Sequence, residues 1–106
     1  MNIAEIPIAS AAPHFVQENI IFGNTFFLEF EWIEKGFWML HLSDGQERAL
    51  ASGIRLISDW PLYIYYESSP HIAFALLPQR RNDELNRQSL KQSFTLVAYE
   101  SLWPCG

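Results

Sequence analysis

The chain is 106 residues long and carries a net charge of −5, with a hydrophobic fraction of 49% and an aromatic fraction of 15%. This length predicts a single domain over residues 1–106 that is large enough for one hydrophobic core. The acidic balance argues against binding of nucleic acid through a basic surface, and the single cysteine, Cys105, excludes an internal disulfide.

The N-terminal residues predict a short strand rather than a signal peptide. In an extended strand, Ile3, Glu5 and Pro7 would lie on one side, and Ala4, Ile6 and Ile8 on the other. The segment has no basic residue, and Pro7 confines a strand to the edge of a sheet. A second strand is predicted over His14–Glu18, before a turn signal at Gly23-Asn24. No apolar run is long enough to cross a bilayer, so we expect no membrane-spanning helix.

The segment from Thr25 to Ile57 predicts a β-meander, in which three strands follow one another through tight turns. Its first strand alternates with a period of two, which a helix would scramble. Asp44-Gly45 is a strong hairpin signal because glycine tolerates positive φ, and Ser52-Gly53 within the third strand indicates a bulge or bend. We assign Phe26, Leu28, Phe30, Trp32, Trp38 and Leu40 to the core, and Glu29, Glu31 and His41 to the outward face.

The second half of the chain predicts further strands around one polar segment. The strands are expected over Leu62–Tyr66, His71–Leu77 and Phe94–Tyr99. The stretch between Pro78 and Gln92 predicts either a long loop or one helical turn around Asp83 to Arg87. About seven to nine short antiparallel strands without a convincing helix predict an all-β fold, a small β-sandwich or barrel, with residues 101–106 as a peripheral tail.

No constellation of residues in the sequence predicts catalysis or metal binding. The three histidines lie on separate predicted strands and lack the close spacing of a metal motif. The serines occupy predicted turns, and Cys105 lies in a terminal tail, which is a poor place to hold catalytic geometry. Glu29 and Glu31 share one strand face, which favours a solvated or partner-facing acidic strip over a two-carboxylate cleft. We therefore predict no enzyme activity, no metal and no cofactor.

Aromatic residues in turns and at strand edges are the least ordinary feature of the sequence. The core and rim of a small barrel would account for them, but Trp and Tyr also dominate buried contacts between proteins. The basic pair Arg80-Arg81 predicts either a solvated loop or a docking patch for an acidic partner. Stacking of the aromatic rings on a carbohydrate is a third interpretation. The candidate interface residues are Trp60, Tyr63, Tyr65, Arg80, Arg81 and Trp103.

A series of structural motifs over about residues 3–100 matches a known pattern. The matching segments are Ile6-Pro7-Ile8, the alternating strand Phe26 to Trp32, the Trp-bearing strand and turn Trp38 to Gly45, Ser52-Gly53-Ile54-Arg55-Leu56, and Asp83-Glu84-Leu85. On these residues the chain resembles the small baseplate plug proteins of contractile-tailed phages, of the type known from a cyanophage. Arg55 departs from the pattern, since proline is usual at that position.

The resemblance implies a structural component of the tail baseplate of a phage, a prophage or a related contractile particle. Such a plug would help to close the channel near the hub and the tail tube, and would be displaced on contraction. Its partners would be other baseplate, hub or tail-tube proteins, with self-association into a homo-oligomer. The resemblance also implies location in the virion after synthesis in the host cytoplasm, without a membrane and without catalysis. The alternative function is a ligand-binding β-domain that stacks aromatic residues on carbohydrate.

Overall fold

The computed structural model describes residues 2–58, 61–68, 70–80 and 84–101. The described residues form eight strands and one short helix: β1 (Ile3–Ile6), β2 (His14–Ile21), β3 (Asn24–Ile33), β4 (Phe37–Asp44), β5 (Ala49–Arg55), β6 (Pro61–Tyr65), β7 (His71–Pro78), α1 (Ser89–Ser93) and β8 (Phe94–Ser101). The all-β prediction is confirmed. Ser101, which the sequence analysis assigned to a peripheral tail, is the last residue of β8, and residues 102–106 lie outside the described residues.

The strands form two four-stranded antiparallel sheets. Sheet I has the order β1-β8-β7-β6, and sheet II has the order β2-β3-β4-β5. Rings from the two sheets meet between them, with Phe26 of β3 and Phe74 of β7 edge to face at a centroid distance of 5.3 Å. Two separate sheets that share one apolar interior make a β-sandwich, not a closed barrel.

The meander predicted from the period-two pattern is sheet II without its first strand. Of the six side chains assigned to the core, Phe26, Leu28, Phe30, Trp38 and Leu40 are buried, whereas Trp32 is partly buried and packs against the core. Glu29, Glu31 and His41 lie on the opposite face of the sheet and are half-buried. The alternation of side chains along each strand therefore assigned the faces correctly. Pairing keeps this assignment from strand to strand, because directly opposite residues in antiparallel strands share a face.

The hairpin between β4 and β5 uses a different residue for its left-handed position than the sequence predicts. The positive φ falls on Glu47, at 63°, and not on Gly45. The loop between the bonded residues Asp44 and Arg48 has three residues, since the Asp44 N–H donates to the Arg48 C=O at 3.0 Å. Within it, the Glu47 N–H donates to the Asp44 C=O at 2.9 Å. A longer loop moves the left-handed residue to its end, as in hairpins that are built around a type I turn.

The predicted irregularity at Ser52-Gly53 is a β-bulge. Leu40 pairs with Ile54 and Leu42 pairs with Ala51, so two residues of β5 lie opposite the single residue His41. Gly53 has a φ of +74°, which side chains with a Cβ rarely adopt. The bulge turns the Gly53 N–H and the Ser52 hydroxyl toward the His41 ring.

The polar segment after β7 contains the one helix of the described residues. The sequence left open a long loop or one helical turn around Asp83 to Arg87; Asp83 lies outside the described residues, and Glu84 to Arg87 are not helical. The helix is α1, from Ser89 to Ser93. Its start is organised by Asn86, whose side-chain oxygen accepts hydrogen bonds from the N–H groups of Gln88 and Ser89. Leu90 is buried in the core and anchors the helix.

Candidate protein-interaction surface

Two of the predicted interface residues, Tyr63 and Tyr65, lie on the inner side of β6. The pairing of β6 with β7 sets Tyr63 opposite Phe74 and Tyr65 opposite Ile72, and both Phe74 and Ile72 are buried. The Tyr65 ring meets Phe26 edge to face at 5.0 Å, and the Tyr63 ring lies 6.3 Å from Phe74. Burial, together with the charge of Glu67, raises the pKa of Tyr63 above its ordinary value. Both rings are half-buried and contribute to the core, so their faces are largely occupied.

Of the other predicted interface residues, Arg80 is the one that lies in the described part of the chain. Arg80 is exposed just after β7. Trp60, Arg81 and Trp103 lie outside the described residues. The structure therefore brings Tyr63 and Tyr65 together on one strand and leaves Arg80 apart from them, after the end of the neighbouring strand β7.

Two basic residues further along the polar segment, Arg87 and Lys91, contribute to the fold. The Arg87 guanidinium donates to the Ala11 carbonyl at 3.0 Å, and the Lys91 ammonium donates to the Ile8 carbonyl at 3.2 Å. Both carbonyls belong to the connector between β1 and β2. The polar segment thus ties the connector to the body of the sandwich, and Arg87 and Lys91 are committed to that contact.

An ion-pair cluster joins two turns at the end of the sandwich where β4 meets β5. Arg48 donates to Asp44 at 2.9 Å and also to Glu67, in the β6–β7 turn. The hydrogen bond from the Arg48 N–H, then that from the Gln46 N–H, and the Arg48 guanidinium itself hold the pKa of Asp44 below its usual value. The hydrogen bonds to Glu67 and Asp44 in turn raise the pKa of Arg48.

We expect the Asp44 cluster to make the fold sensitive to acid. A carboxyl group whose pKa is lower in the folded state than in the unfolded state stabilises the fold above the unfolded pKa, and this contribution is lost as pH falls through the folded pKa. Urea unfolding from neutral pH down to about pH 2 should therefore show a loss of stability below about pH 4 that is smaller in Asp44→Asn, whose amide oxygen can still accept both N–H groups. Identical acid profiles for the two proteins would contradict the assignment.

Two histidine–glutamate pairs lie on the outer face of sheet II. His14 Nε2 is 2.5 Å from Glu29, and His41 Nε2 is 3.2 Å from Glu31. The Gly53 N–H donates to His41 Nδ1 at 3.0 Å, so Nδ1 is the acceptor and Nε2 carries the hydrogen that is donated to Glu31. Each glutamate of the predicted acidic strip is thus in contact with an imidazole from a neighbouring strand.

Sequence reasoning missed these pairs although a local signal was present. Phe22 and Gly23 form a two-residue loop with φ of 50° and 82°, and such a loop fixes the pairing of the strands around it. From the pair Ile21–Asn24, counting back along both strands sets His14 opposite Glu31, diagonal to Glu29. The turn alone could have shown that the first histidine meets the glutamate strip.

Other candidate sites in the described part of the chain are modest. An open cleft of ≈ 400 Å³ lies beside the β3–β4 turn, where the Arg55 guanidinium sits 4.5 Å from the centre of the Phe37 ring and Leu85 forms part of the wall. Residues 2–58, 61–68, 70–80 and 84–101 contain no group of three His, Cys, Asp or Glu side chains that could hold a metal ion. Among these same residues, no helix has the length and apolar character needed to span a membrane.

The comparison with protein-family models gives a match along nearly the whole chain. The family model described as cyanophage baseplate Pam3 plug gp18 matches residues 3–101. The comparison with curated proteins returns no match. The matched region runs from the first residue of β1 to the last residue of β8, so it contains every strand of the sandwich. This chain therefore belongs to the cyanophage baseplate plug family, a family of phage tail structural proteins.

Proposed function

We propose that the chain acts as a plug in the tail baseplate of a phage, a prophage or a related contractile particle, close to the hub and the tail tube. It works through contacts with other baseplate, hub or tail-tube proteins and with further copies of itself, and it has no catalytic role. It is made in the host cytoplasm as a single domain and ends in the virion. The observation that carries the proposal is the family match over residues 3–101.

The surface of the sandwich supports a role in assembly. Large apolar side chains are exposed at separate places on both sheets, among them Ile3 at 66%, Val16 at 60% and Ile20 at 73%. Ile57, after β5, is also exposed. Apolar residues at strand edges favour coverage by neighbouring molecules, and a closed assembly provides such neighbours.

The contact residues that we propose are the six candidates from the sequence. Arg80 is exposed and offers a cation to an acidic partner, together with Arg81. Trp60 and Trp103 are proposed as apolar anchors of the kind that dominate protein interfaces. Tyr63 and Tyr65 can contribute only through the part of each ring that the core leaves exposed.

Tail particles assembled with and without this chain test the proposed function. We expect particles that lack the chain to have an open channel at the baseplate end or to assemble poorly, and addition of the purified chain should restore both properties. Electron microscopy of the baseplate region gives the readout. Normal assembly with an unchanged channel in the absence of the chain would overturn the proposal.

A further inference from the structure

Strand β2 is the one regular edge among the four edge strands of the described sandwich. The edge strand β1 has four residues and is followed by Pro7. The edge strand β5 is bulged at Gly53, and the edge strand β6 begins at Pro61 and has a register shift. These are the devices by which proteins block pairing with another chain. In contrast, β2 runs for eight residues in unbroken register with β3, without proline or glycine.

The free edge of β2 carries a known set of backbone groups. Ile21 and Asn24 close a two-residue loop, and the residues that flank such a loop bond to each other. The N–H and C=O of Ile21, and of every second residue before it, therefore face β3. The Trp32 N–H donates to the Pro13 C=O at 2.7 Å, which agrees with this alternation. The groups that face outward belong to His14, Val16, Glu18 and Ile20.

The outward-facing residues are not covered within the described part of the chain. Among residues 2–58, 61–68, 70–80 and 84–101, no hydrogen bond reaches the main-chain N–H or C=O of His14, Val16, Glu18 or Ile20. Val16 and Ile20 are 60% and 73% exposed. The inner side of the strand is closed instead, because Gln17 is buried and bonds to the connector at the Ala9 N–H and the Pro7 C=O. The strand is thus fixed on one side and open on the other.

The sequence of this edge is complementary to itself. When two copies of β2 run antiparallel about a two-fold axis at Val16, the two Val16 side chains lie opposite each other and His14 of each copy lies opposite Glu18 of the other. His14 already contacts Glu29 through Nε2, so Nδ1 is the ring nitrogen that remains to face the Glu18 carboxylate of the second copy. In this register, the residues whose backbone N–H and C=O groups point away from β3 pair with one another across the two copies. These pairs make about six backbone hydrogen bonds.

The neighbouring registers match less well. A shift that centres the axis on Gln17 gains about two backbone hydrogen bonds but sets Val16 opposite Glu18. A shift that centres it on Glu18 sets the two carboxylates directly opposite each other, which is destabilising. We propose that β2 is the self-association edge of this protein, and that it pairs with β2 of a second copy about an axis at Val16. The inference deepens the self-association in the proposed function by naming its surface.

The purified full chain tests this inference without any other baseplate component, so its outcome is separate from that of the tail experiment. We expect sedimentation equilibrium to show a dimer as concentration rises, and Val16→Lys to raise its Kd by roughly tenfold or more, because two lysines would face each other at the axis. Ile3→Lys makes the same change on the edge strand β1 and should leave the Kd unchanged. Unaltered circular dichroism spectra would show that both variants fold.

Cysteine cross-linking reads the register directly. In a Cys105→Ser background, Val16→Cys should form a disulfide-linked dimer under mild oxidation, whereas Ile20→Cys, which lies beyond the paired residues, should not. A wild-type chain that stays monomeric at all concentrations would overturn the inference. So would a dimer that survives Val16→Lys, or cross-linking at position 20 without cross-linking at position 16.

Discussion

Replacing Trp38 by alanine should lower the free energy of unfolding by about 3–5 kcal/mol, the usual cost of removing a large buried ring. Trp38 is 1% exposed and lies on the inner face of β4. Its ring meets Trp32 edge to face at 5.5 Å and Phe15 at 6.4 Å. Both neighbours are held by their own strands and cannot collapse far into the space, so a cavity would remain.

The indole of Trp38 also fastens the polar segment to the core. Its Nε1–H donates to the Asn86 carbonyl at 3.0 Å, across 48 residues of sequence. Trp38→Phe keeps most of the buried surface but leaves that carbonyl without its donor, so we expect a smaller loss of about 1–3 kcal/mol. Urea unfolding followed by circular dichroism gives both values. Equal losses in Trp38→Phe and Trp38→Ala would mean that the hydrogen bond, and not ring burial, dominates.

Trp32 provides the matched control on the neighbouring strand. It pairs directly with Trp38, but it is only partly buried. Trp32→Ala should therefore cost clearly less than Trp38→Ala, because less apolar surface returns to water. A Trp38→Ala midpoint that is unchanged within error would show that the ring is not part of the core.

Local sequence patterns predicted most of the fold, because the side chains of a strand alternate between its two faces whatever the strand pairs with. Alternation along β3 assigns Phe26, Leu28 and Phe30 to one face whatever the strand pairs with. The all-β class follows from the same alternation, and the bulge follows from Gly53 within a strand pattern. The family motifs span the same strands, so the resemblance was also carried mainly by structural residues.

Features that depend on which strands are neighbours could not be predicted in this way. The packing of Tyr63 and Tyr65 beside the buried residues Phe74 and Ile72 depends on the pairing of β6 with β7, which the sequence of β6 does not specify. Helix α1 forms around Leu90, whose burial depends on the core that the two sheets enclose. The free edge of β2 follows from the sheet order, because nothing within the β2 sequence distinguishes a central strand from an edge strand.

Phe74 of sheet I packs against rings of both sheets. Phe74→Ala should also lower the free energy of unfolding by about 3–5 kcal/mol, since the residue is fully buried on β7. Its ring touches Phe26 of the opposite sheet at 5.3 Å and lies 6.3 Å from Tyr63 of its own sheet. The loss would therefore weaken both the packing between sheets and the packing within sheet I.

A double-mutant cycle isolates the contact between the sheets. Phe26→Leu and Phe74→Leu keep the core apolar, so the double variant should remain folded and its stability can be compared with the sum of the single changes. The edge-to-face geometry, at an interplanar angle of 82°, predicts a coupling of about 0.5–1.5 kcal/mol. Phe15 stacks on Phe30 within sheet II, so the pair Phe15→Leu and Phe74→Leu is the control and should be additive. The rings of Phe26 and Phe74 are in contact. Equal coupling energies in the two cycles would therefore mean that the sheets are held together by burial of apolar surface and not by this ring contact.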